Sequence, residues 1–267
     1  MIKVEFKGKN GADVSSMFTA EDVGEVAREV FPQYPADRAE AWMTSIVEVE
    51  CARAGYLPDG RLAILFEAHW FDRFTEGRHR ESHPNISSRS WNRSLYWGGA
   101  AEYRRLETAM ALDAGAAIKS ASYGFPQIMG FNYHLCGYAN AESMITHFAN
   151  CAPAQIEALA EFMRAQKIDR KLRDFDFEGA SKIYNGRGFR RNRHHIKWSS
   201  AYARALGLHA SCQLGGAGEE VRRLQEALRA RGATITVDGA FGPLTGQALV
   251  DFQRQFQFAH PLIGSFA

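Results

Sequence analysis

The sequence has no long hydrophobic run. Its longest unbroken apolar stretch is Leu62-Ala63-Ile64-Leu65-Phe66, far short of the roughly 20 residues a membrane-spanning helix needs. Cysteine is scarce: Cys51, Cys136, Cys151 and Cys212 are scattered, and none forms a CxxC pair. That spacing argues against a standard zinc site, and a disulfide framework does not suit a chain of 267 residues. The four are read as small buried hydrophobes or free thiols. An excess of one charge is also missing. Lys+Arg is 32 and Asp+Glu is 30, a formal net charge of +2, which argues against a dedicated nucleic-acid binder. HExxH, GxSxG and P-loop patterns are absent, so no metal, cofactor or nucleotide is expected. The start, Met1-Ile2-Lys3-Val4-Glu5-Phe6, lacks the apolar core and small-residue cleavage site of a secretory signal peptide.

What remains reads as mainly helical, with a small β element. The window Ala36 to Cys51 places Ala39, Trp42, Met43, Ile46, Val47 and Glu50 at helical spacing on one face. Ala100 to Lys119 and Ala154 to Gln166 also read as amphipathic helical windows, and Asp72 to Gly99 as a loop-rich stretch. A short strand is expected at Leu62 to Glu67. Gly215-Gly216-Ala217-Gly218 marks a flexible boundary. Beyond it comes one helix with Val221, Leu224 and Leu228, then a turn at Asp238-Gly239. A second helix follows with Ala248, Leu249, Phe252 and Phe256. From Gly179 to Gly218 there is no Asp or Glu, while Lys182, Arg187, Arg190, Arg191, Arg193, Lys197 and Arg204 are interleaved with aromatics. Such a stretch is either a solvated basic face or an attractor for a polyanion.

Two carboxylates stand out. Glu50 lies on the apolar stripe of its helix, where partial desolvation raises a carboxyl pKa toward the value a general acid needs. The same position also suits a plain helix-end pair with Arg53. Glu67 closes the apolar run beside His69, as an ion-pair partner or as the second member of a carboxylate pair. Two carboxylates about a cleft are the usual equipment for hydrolysing a glycosidic bond. Between Ser120 and Asn132, Tyr123 and Phe131 offer rings for sugar faces, and Gln127 and Asn132 offer amides for hydroxyls. A tight corner between helices would use the same residues. Tyr184-Asn185-Gly186-Arg187-Gly188 is read in the same two ways, as a ligand contact or a helix-ending turn.

In order and spacing, these blocks resemble the N-acetylmuramidase domain of bacteriophage endolysins, a lysozyme-like family. The resemblance runs from Phe18 to about Leu206. It is carried by Val47-Glu48-Val49-Glu50, Gly55-Tyr56-Leu57-Pro58-Asp59-Gly60-Arg61, Ile64-Leu65-Phe66-Glu67-Ala68-His69, Gln127-Ile128-Met129-Gly130-Phe131-Asn132 and Tyr184-Asn185-Gly186. Val221 to Leu228, Val237 to Thr245 and Ala248 to Gln253 resemble the small three-helix-type peptidoglycan-binding module of cell-wall hydrolases. Together they imply a catalytic domain over 1–207, a linker over 208–218 and a binding module over 219–267. The implied reaction is cleavage of the β-1,4 bond between N-acetylmuramic acid and N-acetylglucosamine. Glu50 takes the general-acid position and Glu67 a second acidic one. Ser122, Gln127 and Tyr184 match cleft-lining positions. Tyr123, Asn132 and Asn185 join them as substrate contacts. A lytic transglycosylase, or a binding protein without activity, remains the alternative. The expected partner is peptidoglycan, with anionic outer-membrane lipid on the 182–204 stretch, no nucleic acid and a monomeric chain. The expected location is the host cytoplasm until lysis, then the periplasmic wall. Cys51 stands where the family often has a small hydroxyl residue.

Overall fold

A computed structural model describes residues 18–50, 55–205 and 215–256. The order of elements is α1 (Ala20–Val30), α2 (Ala36–Glu50), β1 (Ile64–Phe66), α3 (Ala68–Phe74), α4 (Glu102–Leu112), α5 (Ala114–Lys119), β2 (Ala121–Tyr123) and β3 (Ile128–Met129). It continues with α6 (Ala141–Asn150), α7 (Pro153–Ala165), α8 (Ile168–Arg173), α9 (Phe177–Asn185), α10 (His194–Ala205), α11 (Glu219–Arg229) and α12 (Pro243–Phe256). The fold is therefore mostly helical with one small sheet. No helix among the described residues is long and apolar enough to cross a membrane.

The described chain forms two compact units. One takes residues 23–49 and the chain from 167 onward. Its core is built around α2, whose Ala39, Trp42, Met43, Ile46 and Val47 are fully buried, as the 3.6-residue period requires. Trp42 packs edge-on against Phe31 and Tyr34. The Ser45 hydroxyl donates to the Trp42 carbonyl at 2.7 Å and accepts from Trp198 Nε1 at 2.9 Å. A buried indole N–H is thereby satisfied, which its burial demands. Asp176 caps α9 by accepting from the Gly179 N–H at 2.7 Å.

The tail of this unit holds two helices among its described residues, α11 and α12. The turn between them is pinned by Gln225, which is buried. Its Oε1 accepts from the Gly239 N–H at 2.8 Å, and its Nε2 lies 2.8 Å from Asp238 Oδ1 and 2.9 Å from the Ala240 carbonyl. Gly239 has φ +73°, the left-handed conformation that a turn at Asp238-Gly239 needs.

The other unit takes residues 18–22 and 50–166 of the described chain. Its sheet has the order β1-β2-β3, antiparallel throughout. Leu65 lies opposite Ser122 and Phe66 opposite Ala121, while Ser122 lies opposite Met129. The β2–β3 turn passes through Gly124, at φ +71°. A β-carbon there would fall 2.3 Å from Gln155 Oε1, so only glycine fits. Gln155, itself fully buried, uses that oxygen to accept from the Phe125 N–H at 2.9 Å.

The helical window Ala100 to Lys119 is broken in the structure. Asp113 adopts an extended backbone, ends α4, and caps α5 by accepting from the Ala116 N–H at 2.9 Å. A carboxylate that satisfies an orphan N–H of the next helix outcompetes its own place in a continuous one. Cys136 is buried and Cys151 half-buried, both as free thiols; burial pushes the Cys136 thiol up to about 12. Cys51 and Cys212 lie outside the described residues.

Candidate active site

Glu67 follows directly on β1 and occupies the N-cap position of α3. Its backbone N–H donates to the Ser120 carbonyl at 2.9 Å, and its own carbonyl accepts from the Trp70 N–H at 3.0 Å. The side chain does not cap the helix. Instead Oε2 accepts from the Tyr96 hydroxyl at 2.5 Å and lies 3.1 Å from His69 Nδ1. A short O–H bond to a carboxylate is a charge-assisted bond, about twice as strong as a neutral one. Burial, followed by the bond to Glu67 and its charge, pushes the Tyr96 hydroxyl well above its ordinary range. Tyr96 therefore stays protonated and remains a donor. Both contacts fall on Oε2, so Oε1 is the oxygen that Glu67 can offer to water or substrate. The side chain is 14% exposed.

Ser122, opposite Leu65 on the neighbouring strand, and Gln127 form one connected pair. The Ser122 hydroxyl donates to Gln127 Oε1 at 3.0 Å, and Gln127 Nε2 donates to the Gly124 carbonyl at 2.7 Å. Gln127 sits at φ +50°, a left-handed conformation that costs a non-glycine residue on the order of 1–2 kcal/mol. Its amide is fixed at both ends, which holds the strained turn in place. Glu50 is the last residue of α2 and is half-buried, as are Glu48 and Val49 before it. The chain described again from Gly55 is tied to the same sheet. The Ala63 N–H donates to the Gly55 carbonyl, and the Gly124 N–H to the Ala63 carbonyl, each at 2.9 Å.

Behind β1 lies a pair that sequence reasoning missed. Glu102 and Arg105 are both fully buried and meet at 2.8 Å. Glu102 Oε2 also accepts from the Phe66 N–H at 3.2 Å, while Oε1 accepts from the N–H groups of Trp97 and Gly98 at 2.7 and 2.9 Å. Arg105 donates to the carbonyls of Phe66 and Asn85 at 2.8 and 3.0 Å. The pair thus clamps the residue before Glu67 and the segment after Tyr96. A signal was present: Glu102, Arg105, Leu106 and Ala109 share the buried stripe of α4 at i, i+3, i+4 and i+7.

The N-acetylmuramidase family model matches residues 39–206. The chain belongs to the N-acetylmuramidase family. The peptidoglycan binding domain model matches residues 217–259. Among solved structures, the chain is similar to the crystal structure of the Burkholderia AP3 phage endolysin. The two are 28% identical over 71% of each chain, with a TM-score of 0.63. No curated protein matches the chain. The enzyme is accordingly a glycoside hydrolase of peptidoglycan, of the endolysin type, with a peptidoglycan-binding module.

The remaining residues singled out from the sequence fall in different places. Tyr123 is only 2% exposed, and its hydroxyl donates to the Ile118 carbonyl at 2.9 Å. It is a core residue of β2: all three residues of that central strand are buried, so the ring has no free face for a sugar. This corrects the reading of Tyr123 as a substrate contact. Asn132 is half-buried on the 3-10 segment Gly130–Cys136 that follows β3. Tyr184 and Asn185 end α9, in the other compact unit. The Tyr184 ring stacks on His194 at 5.8 Å and meets Trp198 edge-on at 6.2 Å. Glu48 pairs with Arg204, as a surface charge on its helix.

Proposed function

We propose that the enzyme hydrolyses the β-1,4 bond between N-acetylmuramic acid and N-acetylglucosamine, with Glu50 as general acid and Glu67 as its charged partner. The observation that carries this reading is the setting of Glu67. Tyr96 and His69 converge on one of its oxygens, which holds the group as an acceptor with the other oxygen available. A carboxylate so held suits stabilisation of the positive charge on the sugar ring or activation of water. Glu50, at the end of the preceding helix, then delivers its proton to the leaving oxygen, and water adds across the broken bond. Two carboxylates in unlike settings divide the acid and charged roles in this way. Ser122, Gln127 and Asn132 are substrate contacts in this reading.

The test is mass spectrometry of soluble fragments from purified peptidoglycan. Reducing N-acetylmuramic acid ends are the expected product. Anhydro ends would move the enzyme to the lytic transglycosylases, and ends at N-acetylglucosamine would move the bond. Glu67→Gln is expected to lower kcat by about 100-fold or more. Full activity in that variant would remove Glu67 from the chemistry.

The chain is read as modular and monomeric: a catalytic domain over 1–207, a linker over 208–218 and a wall-binding module over 219–267. Tethering by the module raises the local concentration of substrate. The enzyme is held in the host cytoplasm until lysis and then acts on the periplasmic wall. The basic stretch over 182–204 is directed at anionic outer-membrane lipid. Arg190 pairs with Glu178 and Arg204 with Glu48, but Lys182, Arg191, Arg193 and Lys197 are exposed cations. Cosedimentation with anionic vesicles is expected at low salt and lost by about 0.5 M, since exposed charges are screened beyond a few ångström there. Equal binding to neutral vesicles would remove this part.

A further inference from the structure

We propose that Trp97 and Trp91 form a fixed aromatic lip that stacks on sugar rings of the glycan strand beside Glu67. The inference rests on the reading of Glu67 as part of the active site and extends it to the binding of the polymer. Trp91 is 54% exposed and Trp97 50%. Phe74, the next most exposed phenylalanine or tryptophan whose side chain is described, is at 36%. Each leaves much of a large apolar ring in water, which folding alone disfavours.

The segment that carries them is nonetheless held on both sides. Tyr96, the residue before Trp97, bonds Glu67 through its hydroxyl. The N–H groups of Trp97 and Gly98 both point to Glu102, a carboxylate with no exposure at all. Trp91 packs against the ring of Tyr96 with centroids 6.3 Å apart. Asn92 closes the turn between them by accepting from the Ser94 N–H at 3.0 Å. The loop is thus held by a buried pair that also binds the Phe66 backbone of β1. Exposed rings on a rigid backbone are a preorganised surface, which binds with little loss of side-chain freedom.

The sugar is the occupant that fits. A pyranose in the β-1,4 series presents a flat face of C–H groups, which packs on an indole, and a rim of hydroxyls and acetamido groups. The lip adjoins Tyr96, which touches the carboxylate, so a glycan strand passing Glu67 has these rings beside it. Stacking sugars there would hold the strand in register without taking part in bond cleavage. Trp97 and Trp91 are thus binding residues and not catalytic ones.

The experiment compares the full-length enzyme with Trp97→Ala, Trp97→Phe and Trp91→Ala. Kinetics on purified peptidoglycan are paired with fluorescence titration by the N-acetylglucosamine tetramer. Trp97→Ala is expected to raise KM about ten-fold with kcat nearly unchanged, the mark of lost uniform binding. Trp97→Phe, which keeps an aromatic face, is expected to recover most of that loss. Binding of the tetramer should weaken in parallel in both alanine variants. Unchanged KM and unchanged tetramer binding in the alanine variants would overturn the lip. A KM rise that Trp97→Phe does not relieve, with tetramer binding intact, would also overturn it, because the ring would then act only on loop shape. Glu67→Gln separates the two readings. Full activity in that variant with lost binding in Trp97→Ala defeats the role of Glu67 and supports the lip as a sugar site. The reverse pattern defeats the lip alone.

Discussion

Glu50→Gln is expected to lower kcat on peptidoglycan by about 1,000-fold or more while leaving the fold intact. Glutamine keeps the size of the side chain and much of its hydrogen-bonding capacity. What it lacks is a proton to give to the leaving oxygen. General acid catalysis contributes roughly 100- to 10,000-fold, and a sugar alkoxide is a poor leaving group without it. The loss should fall on kcat with KM little changed, because the proton moves only in the transition state. Stability supplies the contrast with a structural role. Glu50 ends α2, where the helix dipole is negative. An uncharged side chain is favoured there by about 0.3–1 kcal/mol, which offsets part of whatever the carboxylate's contacts contribute. A thermal midpoint within a few degrees of the parent, with activity gone, is therefore the expected pair of results. Retained activity with a lowered midpoint would mark Glu50 as a helix-end ion-pair residue and return the acid role to another group.

The α2 stripe was legible because it is a local pattern with one solution, and the strand expected over Leu62 to Glu67 forms over Ile64–Phe66, with Glu67 taken as the N-cap of α3. Trp42, Ile46 and Val47 recur at helical spacing, and the core takes that face. The Asp238-Gly239 turn was legible for the same reason, since a left-handed position favours glycine. Tyr123 was not. It lies in a three-residue strand at the centre of the sheet, where alternation cannot mark a solvent face because neither face is exposed. Asp113 was missed as a helix break because its effect depends on the cap it makes for the next helix, not on its propensity. At the site, the end of the apolar run singled out Glu67 and its neighbour His69, whose contact is seen at 3.1 Å. Tyr96 comes from a loop with no periodic pattern, and only the fold brings its hydroxyl to Glu67. The Tyr184 motif allowed a ligand contact or a helix-ending turn; in the structure Tyr184 and Asn185 end α9, with the Tyr184 ring against His194 and Trp198.

Glu102→Gln is expected to cost about 3–5 kcal/mol of stability, the largest loss of any single substitution considered. Glutamine keeps one oxygen for the N–H groups of Phe66, Trp97 or Gly98 but removes the charge that balances Arg105. An unpaired guanidinium with no solvent exposure has lost its hydration and gained nothing in return. At about 2–4 °C per kcal/mol for a chain of this size, the midpoint should fall by roughly 6–20 °C. The same substitution loosens the two ends of the structure that frame Glu67, because Phe66 and Trp97 share this carboxylate. A double variant, Glu102→Gln with Arg105→Met, decides whether the charge or the shape is responsible. Methionine fills much of the arginine's stem volume without a buried charge. If the penalty is the orphaned cation, the double variant recovers much of the lost stability, as paired removal of buried charges commonly does. Its activity should recover less than its midpoint, since the bonds that Arg105 gives to Phe66 and Asn85 are gone as well. Equal recovery of both would mean that the pair stabilises the fold but does not position Glu67, and the orientation of that carboxylate would then rest on Tyr96 and His69 alone.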